Sequence, residues 1–378
     1  MIYFDNAASS FPKPRGVAKA ISKAVRSYGA NPGRSGHALA MRAAEKIYEC
    51  RQRAAELFGM AEPERVIFTQ NATAALNLVL KGIMSGGGHA VTSDLEHNSV
   101  RRPLLAMADA GVDVTEARVD FYDDDATLRS FEDALRPDTR LIAVTHASNV
   151  WGNVLPVRSL CALAKGRGIP LVLDASQTAG KLDISMADGY AAVCTAGHKG
   201  LYGPQGTGLL LLAQGLYLPT LTEGGSGAAS LDPGQPEDPP ERYEAGTLNT
   251  PGIAGLFEGL GYVMDNSAEE IGLFERELCL HLFTELSRMT GVRLYTPVTA
   301  RSAGLLSFNI EGMASEKVAA ALDRAGFCVR GGLHCAPSAH RRMDTLKSGA
   351  VRVSFGAFNT HRQVDALLRA VYKLAVGG

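Results

Sequence analysis

The sequence predicts an α/β protein with a mostly parallel β-sheet, and three observations support this. Between about residues 65 and 213, short apolar runs alternate with segments whose apolar residues recur at helical spacing. The runs at 141–145 and 171–174 are apolar almost throughout and end in polar residues. Such runs are typical of parallel strands that crossover helices bury on both faces. The chain has 378 residues, which at about 150 residues per domain suggests two or three domains, or one large α/β domain with an appendage.

The elements follow in order along the first half of the chain. Residues 66–69 are predicted to form a strand and residues 72–83 a helix, because apolar side chains recur there every three or four positions. Residues 89–92 form a second short strand, and a helix follows through residues 104–106. The two apolar runs already described are the next strands. Ligands bind at the carboxyl ends of parallel strands, so the polar residues that end these runs are candidates for function.

The second half is predicted to be less regular at first. Residues 223–240 are rich in Gly, Pro and Ser and should be irregular, and residues 253–289 should be helical with a break near 265–267. A smaller α+β pattern follows, with strands at 305–310 and 351–353 and helices at 316–325 and from residue 361. We expect a large domain at residues 15–262 and a small domain made of residues 1–14 and 263–378.

Composition excludes several classes of protein. There are 38 basic and 39 acidic residues, and a net charge of −1 does not favour binding to nucleic acid or membranes through overall charge. The N-terminus lacks a signal-peptide pattern, and no apolar stretch reaches the roughly 18 residues of a spanning helix, so a cytoplasmic protein is expected. Six scattered cysteines without CxxC spacing indicate neither a disulfide framework nor a metal site.

A glycine-rich segment, residues 197–208, contains one lysine, Lys199. A lysine held in such a loop can be desolvated and become a nucleophilic amine. Asp174 ends an apolar strand earlier in the chain and could meet Lys199 at the sheet edge. Pyridoxal phosphate requires this pair, because it needs an amine for its aldehyde and an anion beside its protonated pyridine nitrogen. Taken separately, Lys199 also fits a surface lysine, and Asp174 fits a helix cap or an ion-pair partner.

Motifs along nearly the whole chain carry a more specific signal. The sequence resembles fold-type I, class V pyridoxal-phosphate enzymes, and within them the cysteine desulfurase and selenocysteine lyase group. The matching blocks are residues 5–8, 68–73, 96–97, 148–152, 174–177, 197–199, 244–247, 330–336 and 352–354. The resemblance implies a large domain with a mostly parallel seven-stranded sheet between helices and a smaller α+β C-terminal domain.

The resemblance also implies roles around the cofactor ring. Lys199 would bind pyridoxal 5'-phosphate covalently, and Asp174 would pair with the pyridine nitrogen. Gln177 and Asn149 would approach the phenolic oxygen. His97 would stack on the ring and take part in proton transfer, which suits an imidazole near neutral pH.

The phosphate is expected at a helix N-terminus, where backbone N–H groups and the helix dipole favour an anion. The residues implied there are Ala72, Thr73, His198 and, from a neighbouring subunit, Thr247. This last contact implies a homodimer. The chain departs from the family at Ala196, where a Ser or Thr donor is common, so the cradle either lacks one donor or uses Thr195.

Cys335 lies in a loop-like segment, where His334 and nearby arginines would favour the reactive thiolate. It matches the family's persulfide-forming cysteine. Arg352 lies within an apolar strand, where a cation needs a partner. That partner is either a protein carboxylate or, as the resemblance implies, the α-carboxylate of an amino acid. The short interval between the two residues resembles the short-loop group of desulfurases.

The remaining substrate contacts also rest on the resemblance: they are Arg330, His37, Asn6, Ala7 and Arg34. Together the roles imply a desulfurase that converts L-cysteine to L-alanine and passes sulfur through a Cys335 persulfide to a protein acceptor, as in iron–sulfur cluster assembly. Neither nucleic acid nor membrane is an expected partner. The alternatives are a selenocysteine lyase, a cysteine sulfinate desulfinase or another C–S lyase with this cofactor, and a non-catalytic scaffold of the same fold.

Overall fold

The computed structural model describes residues 1–33, 36–227, 231–295, 299 and 302–376. Its strands are β1 (Ile2–Tyr3), β2 (Val66–Thr69), β3 (Gly88–Ser93), β4 (Val112–Ala117), β5 (Thr139–Thr145), β6 (Leu171–Asp174), β7 (Ala192–Ala196), β8 (Gly208–Leu212), β9 (Val292–Leu294), β10 (Leu305–Ile310), β11 (Phe327–Cys328) and β12 (Val351–Ser354). Its α-helices are α1 (Arg15–Ser27), α2 (Ala38–Leu57), α3 (Ala72–Ile83), α4 (Asn98–Leu105), α5 (Asp124–Ala134), α6 (Val157–Gly166), α7 (Thr250–Asn266), α8 (Ala268–Leu286), α9 (Ser315–Arg324), α10 (Pro337–Arg342) and α11 (His361–Val376).

A seven-stranded sheet in the order β2-β8-β7-β6-β5-β3-β4 forms the centre of the molecule. The pairs among β3 to β7 are parallel, whereas β8 runs antiparallel to both β2 and β7. The prediction of an α/β fold with a mostly parallel sheet is confirmed. Strand β8 runs antiparallel to β7 because the glycine-rich turn between them reverses the chain. The four leucines of β8, at 209–212, are fully buried.

Most predicted elements coincide with those observed. The helix predicted at 72–83 and the strand predicted at 305–310 have these same bounds. The predicted break in the long helical region falls between α7 and α8 at Ser267, whose φ of 59° interrupts the helix. Helices α1 and α2 and strands β4, β7 and β8 were not predicted from the sequence.

A second hydrophobic core surrounds the sheet β12-β10-β9, where both pairings are antiparallel. It contains Phe4 and buried side chains of α8, α9 and α11. The N-terminal strand β1 pairs with β11 and so joins the chain's start to its last third. These contacts support the proposal that residues 1–14 and 263–378 form a smaller domain.

Among the helices of the described ranges, none is both long enough and apolar enough to cross a membrane.

Candidate active site

The carboxyl ends of β5, β6 and β7 bring Asp174 to the centre of the sheet edge. Asp174 pairs with Thr145 on one side and Cys194 on the other, and only 4% of its surface is exposed. Its Oδ1 accepts hydrogen bonds from the Ser176 backbone N–H at 3.0 Å and from the Ser176 hydroxyl at 2.5 Å. The carboxylate is therefore fixed in orientation, with Oδ2 unbonded among the described residues.

Lys199 lies in the turn that follows β7. This turn is tight, because a Cβ on Gly197 would lie 2.2 Å from Thr207 Oγ1. The Ser10 hydroxyl donates to the Lys199 carbonyl at 2.8 Å and fixes the backbone. The Lys199 Nζ has no hydrogen-bond partner in the described ranges. The lysine is thus held by its backbone while its amine stays available.

The charges around Lys199 show which side chains share its surroundings. Burial lowers its pKa to about 8, Asp174 opposes this change, and Arg352 and Arg330 lower the pKa further. His97 is close enough to these residues to be affected by their charges. Burial and then the charge of Lys199 lower its pKa to about 4. The structure therefore brings these five predicted residues together.

His97 caps the N-terminus of α4, and its tautomer follows from this contact. Its Nδ1 accepts the Ser99 backbone N–H at 3.1 Å and lies 2.8 Å from the Ser99 hydroxyl. A backbone N–H can only donate, so the neutral imidazole has its proton at Nε2. Near neutral pH, His97 therefore presents an N–H donor.

The N-terminus of α3 offers free backbone donors. Asn71 Oδ1 accepts the Ala74 N–H at 2.9 Å, whereas the N–H groups of Ala72 and Thr73 have no partner in the described chain. Both His198 and Thr247 line a cavity of about 990 Å³ beside this helix. The Nδ1 of His198 is buried without a partner among the described residues. These groups suit an anion.

Thr195 and Ala196 lie in β7 and are buried. The Thr195 hydroxyl donates to the Ala175 carbonyl at 3.5 Å. It does not line the cavity that contains His198. A phosphate contact for Thr195 therefore stays a prediction.

Two amide side chains connect the sheet edge to other segments. Asn149 Nδ2 donates to the His334 carbonyl at 2.8 Å, and Gln177 Nε2 donates to the Ala7 carbonyl at 3.2 Å. Asn149 Oδ1 is buried and unbonded among the described residues. Each amide nitrogen keeps a second N–H for another acceptor.

The Cys335 loop approaches this edge from the small domain. Cys335 is the exposed cysteine of the chain; Cys328 is half-buried and the others are buried. His334 and Cys335 both have positive φ, at 51° and 58°. The Asn98 backbone N–H, next to His97, donates to the Cys335 carbonyl at 2.8 Å. The loop is thus bound to both Asn149 and the start of α4.

Arg352 is almost completely buried, at 1% exposure. Its Nη2 pairs with Asp5 at 2.7 Å and its Nη1 donates to the Asn149 carbonyl at 2.8 Å. The Nε has no partner in the described part of the chain. Of the two partners expected from the sequence, the protein carboxylate is present. The backbones of Arg330 and Arg352 are paired, and the Arg330 guanidinium has no ion-pair partner among the described residues.

The other predicted substrate residues have different environments. Asn6 uses both ends of its amide within the protein, donating to the Ser354 carbonyl at 3.1 Å and accepting from the Phe11 N–H at 3.2 Å. His37 is exposed and caps α2. Arg34 lies outside the described residues. A substrate contact for each of the three stays a prediction.

Two residues at the site were missed from the sequence. Asp5 belongs to a matching block, but 347 residues separate it from Arg352, so no spacing reveals the pair. Glu96 is fully buried, and burial raises its pKa to about 8. Its Oε1 accepts from the Ser93 hydroxyl and from the Thr145 N–H, so it joins the ends of β3 and β5.

Comparisons with known proteins point in one direction. The family model "Aminotransferase class-V" matches residues 2–367. A "Probable cysteine desulfurase" of Methanothermobacter thermautotrophicus is 33% identical, with 99% of this chain and 94% of that protein covered. Another, from Mycolicibacterium paratuberculosis, is 33% identical over all of this chain, which spans 56% of that protein's length. The apo structure of a cysteine desulfurase from Thermococcus onnurineus NA1 has a TM-score of 0.92, with 31% identity and coverage of 100% and 95%.

Proposed function

The chain belongs to the class V aminotransferase family, and on that premise we propose that it is a pyridoxal-phosphate-dependent cysteine desulfurase. The observation that carries the proposal is the position of the Cys335 loop. Its backbone is tied to the sheet edge by two hydrogen bonds, from Asn149 Nδ2 to the His334 carbonyl and from the Asn98 N–H to the Cys335 carbonyl, and the Cys335 side chain is exposed. A nucleophilic sulfur is therefore held beside a site suited to bind an amino acid.

The residues at the sheet edge fit pyridoxal phosphate. The free N–H groups of Ala72 and Thr73 and the unpartnered Nδ1 of His198 suit its phosphate. The unbonded oxygen of Asp174 suits its pyridine nitrogen, and the unbonded Nζ of Lys199 suits its aldehyde. Once bound, the cofactor acts as an electron sink for bonds at the substrate's α-carbon.

Arginines hold the substrate carboxylate. Arg330 offers a guanidinium without a partner in the described ranges, and Arg352 offers its Nε while Asp5 and Asn149 hold its Nη atoms. Lys199 Nζ takes the proton from the substrate α-carbon, and its lowered pKa favours this role. His97 keeps its own proton at Nε2 and so donates rather than accepts there.

The Cys335 thiolate attacks the sulfur of the bound cysteine. The new S–S bond forms as the substrate's Cβ–S bond breaks, and the electron pair of the broken bond passes to the carbon skeleton. That skeleton takes up protons and leaves as alanine. The products are one alanine and one Cys335 persulfide for each cysteine, and no external oxidant is needed.

The expected partners form part of the proposal. A homodimer, with Thr247 of a neighbouring subunit at the phosphate, remains the expectation from the family resemblance; within one chain, Thr247 already lines the same cavity as His198. A protein sulfur acceptor collects the persulfide, and its approach to an exposed Cys335 needs no opening of the core. The short interval from Cys335 to Arg352, with the loop held at the His334 and Cys335 carbonyls, supports the short-loop type. Six free thiols are consistent with a reducing compartment such as the cytoplasm.

The direct test is incubation of the purified holoenzyme with L-cysteine and a thiol reductant. We expect alanine and sulfide in equal amounts. Selenocysteine lyase is the other candidate within this chemistry, and a parallel reaction with L-selenocysteine compares the two. Absence of both alanine and sulfide would refute the proposal, and alanine formed only from selenocysteine would replace it with the lyase.

A further inference from the structure

A row of buried polar side chains begins at His334 in the Cys335 loop and has no part in the reaction described above. His334 and His340 are 4% and 0% exposed, and their rings are nearly parallel, with centroids 5.6 Å apart. His334 Nδ1 lies 3.4 Å from His340 Nε2. At one end, His334 Nε2 lies 3.2 Å from the Arg330 carbonyl; at the other, His340 Nδ1 lies 2.8 Å from the Thr345 hydroxyl.

The carbonyl at one end fixes the direction of every bond in this row. It can only accept, so His334 carries its proton at Nε2. Burial and then Arg352 lower the pKa of His334 to about 2, and burial lowers the pKa of His340 to about 4. Both rings are therefore neutral with one N–H each. Hence His340 Nε2 donates to His334 Nδ1. His340 Nδ1 then accepts from the Thr345 hydroxyl, which shares its proton between this nitrogen at 2.8 Å and the His340 carbonyl at 3.3 Å.

The backbone that this row supports is strained. A residue with a side chain rarely adopts positive φ, and here two consecutive residues, His334 and Cys335, do so. Such a conformation persists only where its surroundings over-determine it. Asn149 and Asn98 bind the two carbonyls of the turn, but the buried ring of His334 needs its own anchor. His340 supplies it from α10, where its ring packs 5.2 Å from that of Trp151.

We propose that His340 is a positioning residue for Cys335, which it holds in place through a directed hydrogen bond to His334. The inference rests on the proposed role of Cys335 as the sulfur-accepting residue. His340 touches neither cofactor nor substrate. It affects the position of the Cys335 thiol, and therefore the transfer of sulfur rather than the binding of cysteine.

The test compares His340→Leu and His340→Gln in the holoenzyme. Leucine removes the donor, whereas the glutamine amide restores an N–H near the position of Nε2. We expect H340L to lower the kcat for alanine by about tenfold or more, because small displacements of a reacting group have effects of this size. The KM for L-cysteine and the spectral change on cysteine binding should not move. H340Q should recover most of the lost kcat.

Alkylation of Cys335 by iodoacetamide without substrate gives an independent readout. H340L should change this rate, and H340Q should return it towards the wild-type value. If wild-type enzyme makes neither alanine nor sulfide, the proposed function fails, while the alkylation rates still decide the role of His340. The inference would be overturned if H340L had the same kcat and the same alkylation rate as the wild type. It would also be overturned if H340L and H340Q lost the same fraction of kcat.

Thr345→Val provides a milder variant should H340L not fold. It keeps both rings and removes the hydroxyl at the end of the row, so kcat should fall less than in H340L. The matched control is Thr139→Val, because Thr139 makes the same 2.8 Å contact with His89 Nδ1 at the opposite end of the sheet. Equal kcat in T345V, T139V and the wild type would overturn the inference.

Discussion

The edge of the large sheet and the loop that carries Cys335 form the two halves of one site, and they differ in how their side chains are held in position. At the sheet edge, Asp174 is the last residue of a strand and His97 and Lys199 each follow one, so their positions depend on neighbouring strands. In the small domain, Arg352 is held by Asp5, and the turn at His334 is held by Asn149. The first half is built by strands of one sheet, whereas the second joins residues from opposite ends of the chain and from both domains.

This difference predicts which changes act on the chemistry and which act on assembly. A side chain at the sheet edge can be replaced without loss of the fold, because the buried strands beneath it supply the stability. A side chain that joins segments distant in the sequence, as Asp5 does with Arg352, contributes to both the fold and the site.

Lys199→Ala should have the largest effect. Loss of the base should lower alanine formation by about 10²- to 10⁴-fold, with little change in thermal unfolding. The cofactor's absorbance should also change, because its covalent attachment is lost. Lys165→Ala, on an exposed position of α6, is the control. An active K199A variant would remove the lysine from the proposed mechanism.

Cys335→Ala should abolish sulfide and persulfide formation from L-cysteine, while the cofactor's spectral response to cysteine remains. Alanine tolerates a φ of 58° no worse than cysteine does, so the turn itself should not be altered. Cys328→Ala, at the half-buried cysteine, should behave as the wild type. If the C335A variant still released sulfide, the Cys335 thiol would not be needed for the reaction.

Asp5→Asn should act mainly on stability. It leaves the buried guanidinium of Arg352 without its anion, and we expect the free energy of unfolding to fall by about 1–3 kcal/mol, measured by urea denaturation. The matched variant Asp113→Asn breaks an ion pair with Arg136 on the surface and should leave stability unchanged. Equal unfolding curves for D5N and the wild type would show that the long-range pair contributes nothing.

Glu96→Gln should leave the reacting groups in place and act on the pH dependence of stability. Burial raises the pKa of Glu96 to about 8 in the folded protein, so folding retains a proton that the unfolded chain loses above its ordinary pKa. The resulting stability is complete below that ordinary pKa and is lost as the pH rises through 8. The glutamine variant should therefore gain stability relative to wild type with rising pH, by at most about 1.4 kcal/mol per pH unit.

The pH series requires a surface control. Glu132→Gln, at an exposed position of α5, should run parallel to the wild type across the series. A difference between E96Q and wild type that does not change with pH would contradict the buried, protonated state of Glu96.

The sequence allowed the sheet edge to be predicted closely. Apolar runs end at Asp174 and at residue 145 because parallel strands must be buried, and α3 begins at Ala72 because Asn71 caps it. The antiparallel direction of β8 could not be predicted, because it depends on the turn before the strand and the spacing of apolar residues does not report the direction of a strand. The contacts of Arg352 with Asp5 and of His340 with His334 were missed for another reason: no spacing in the chain reveals which buried polar groups will satisfy one another.

The central claim is that Cys335 receives the sulfur of cysteine, and locating that sulfur on the protein tests it most directly. The holoenzyme is mixed with one equivalent of L-cysteine in the absence of reductant, and its peptides are analysed by mass spectrometry after alkylation. We predict one additional sulfur atom on the peptide that contains Cys335, with an equal amount of alanine released. Alanine released while the additional sulfur lies on another cysteine, or on none, would contradict the account.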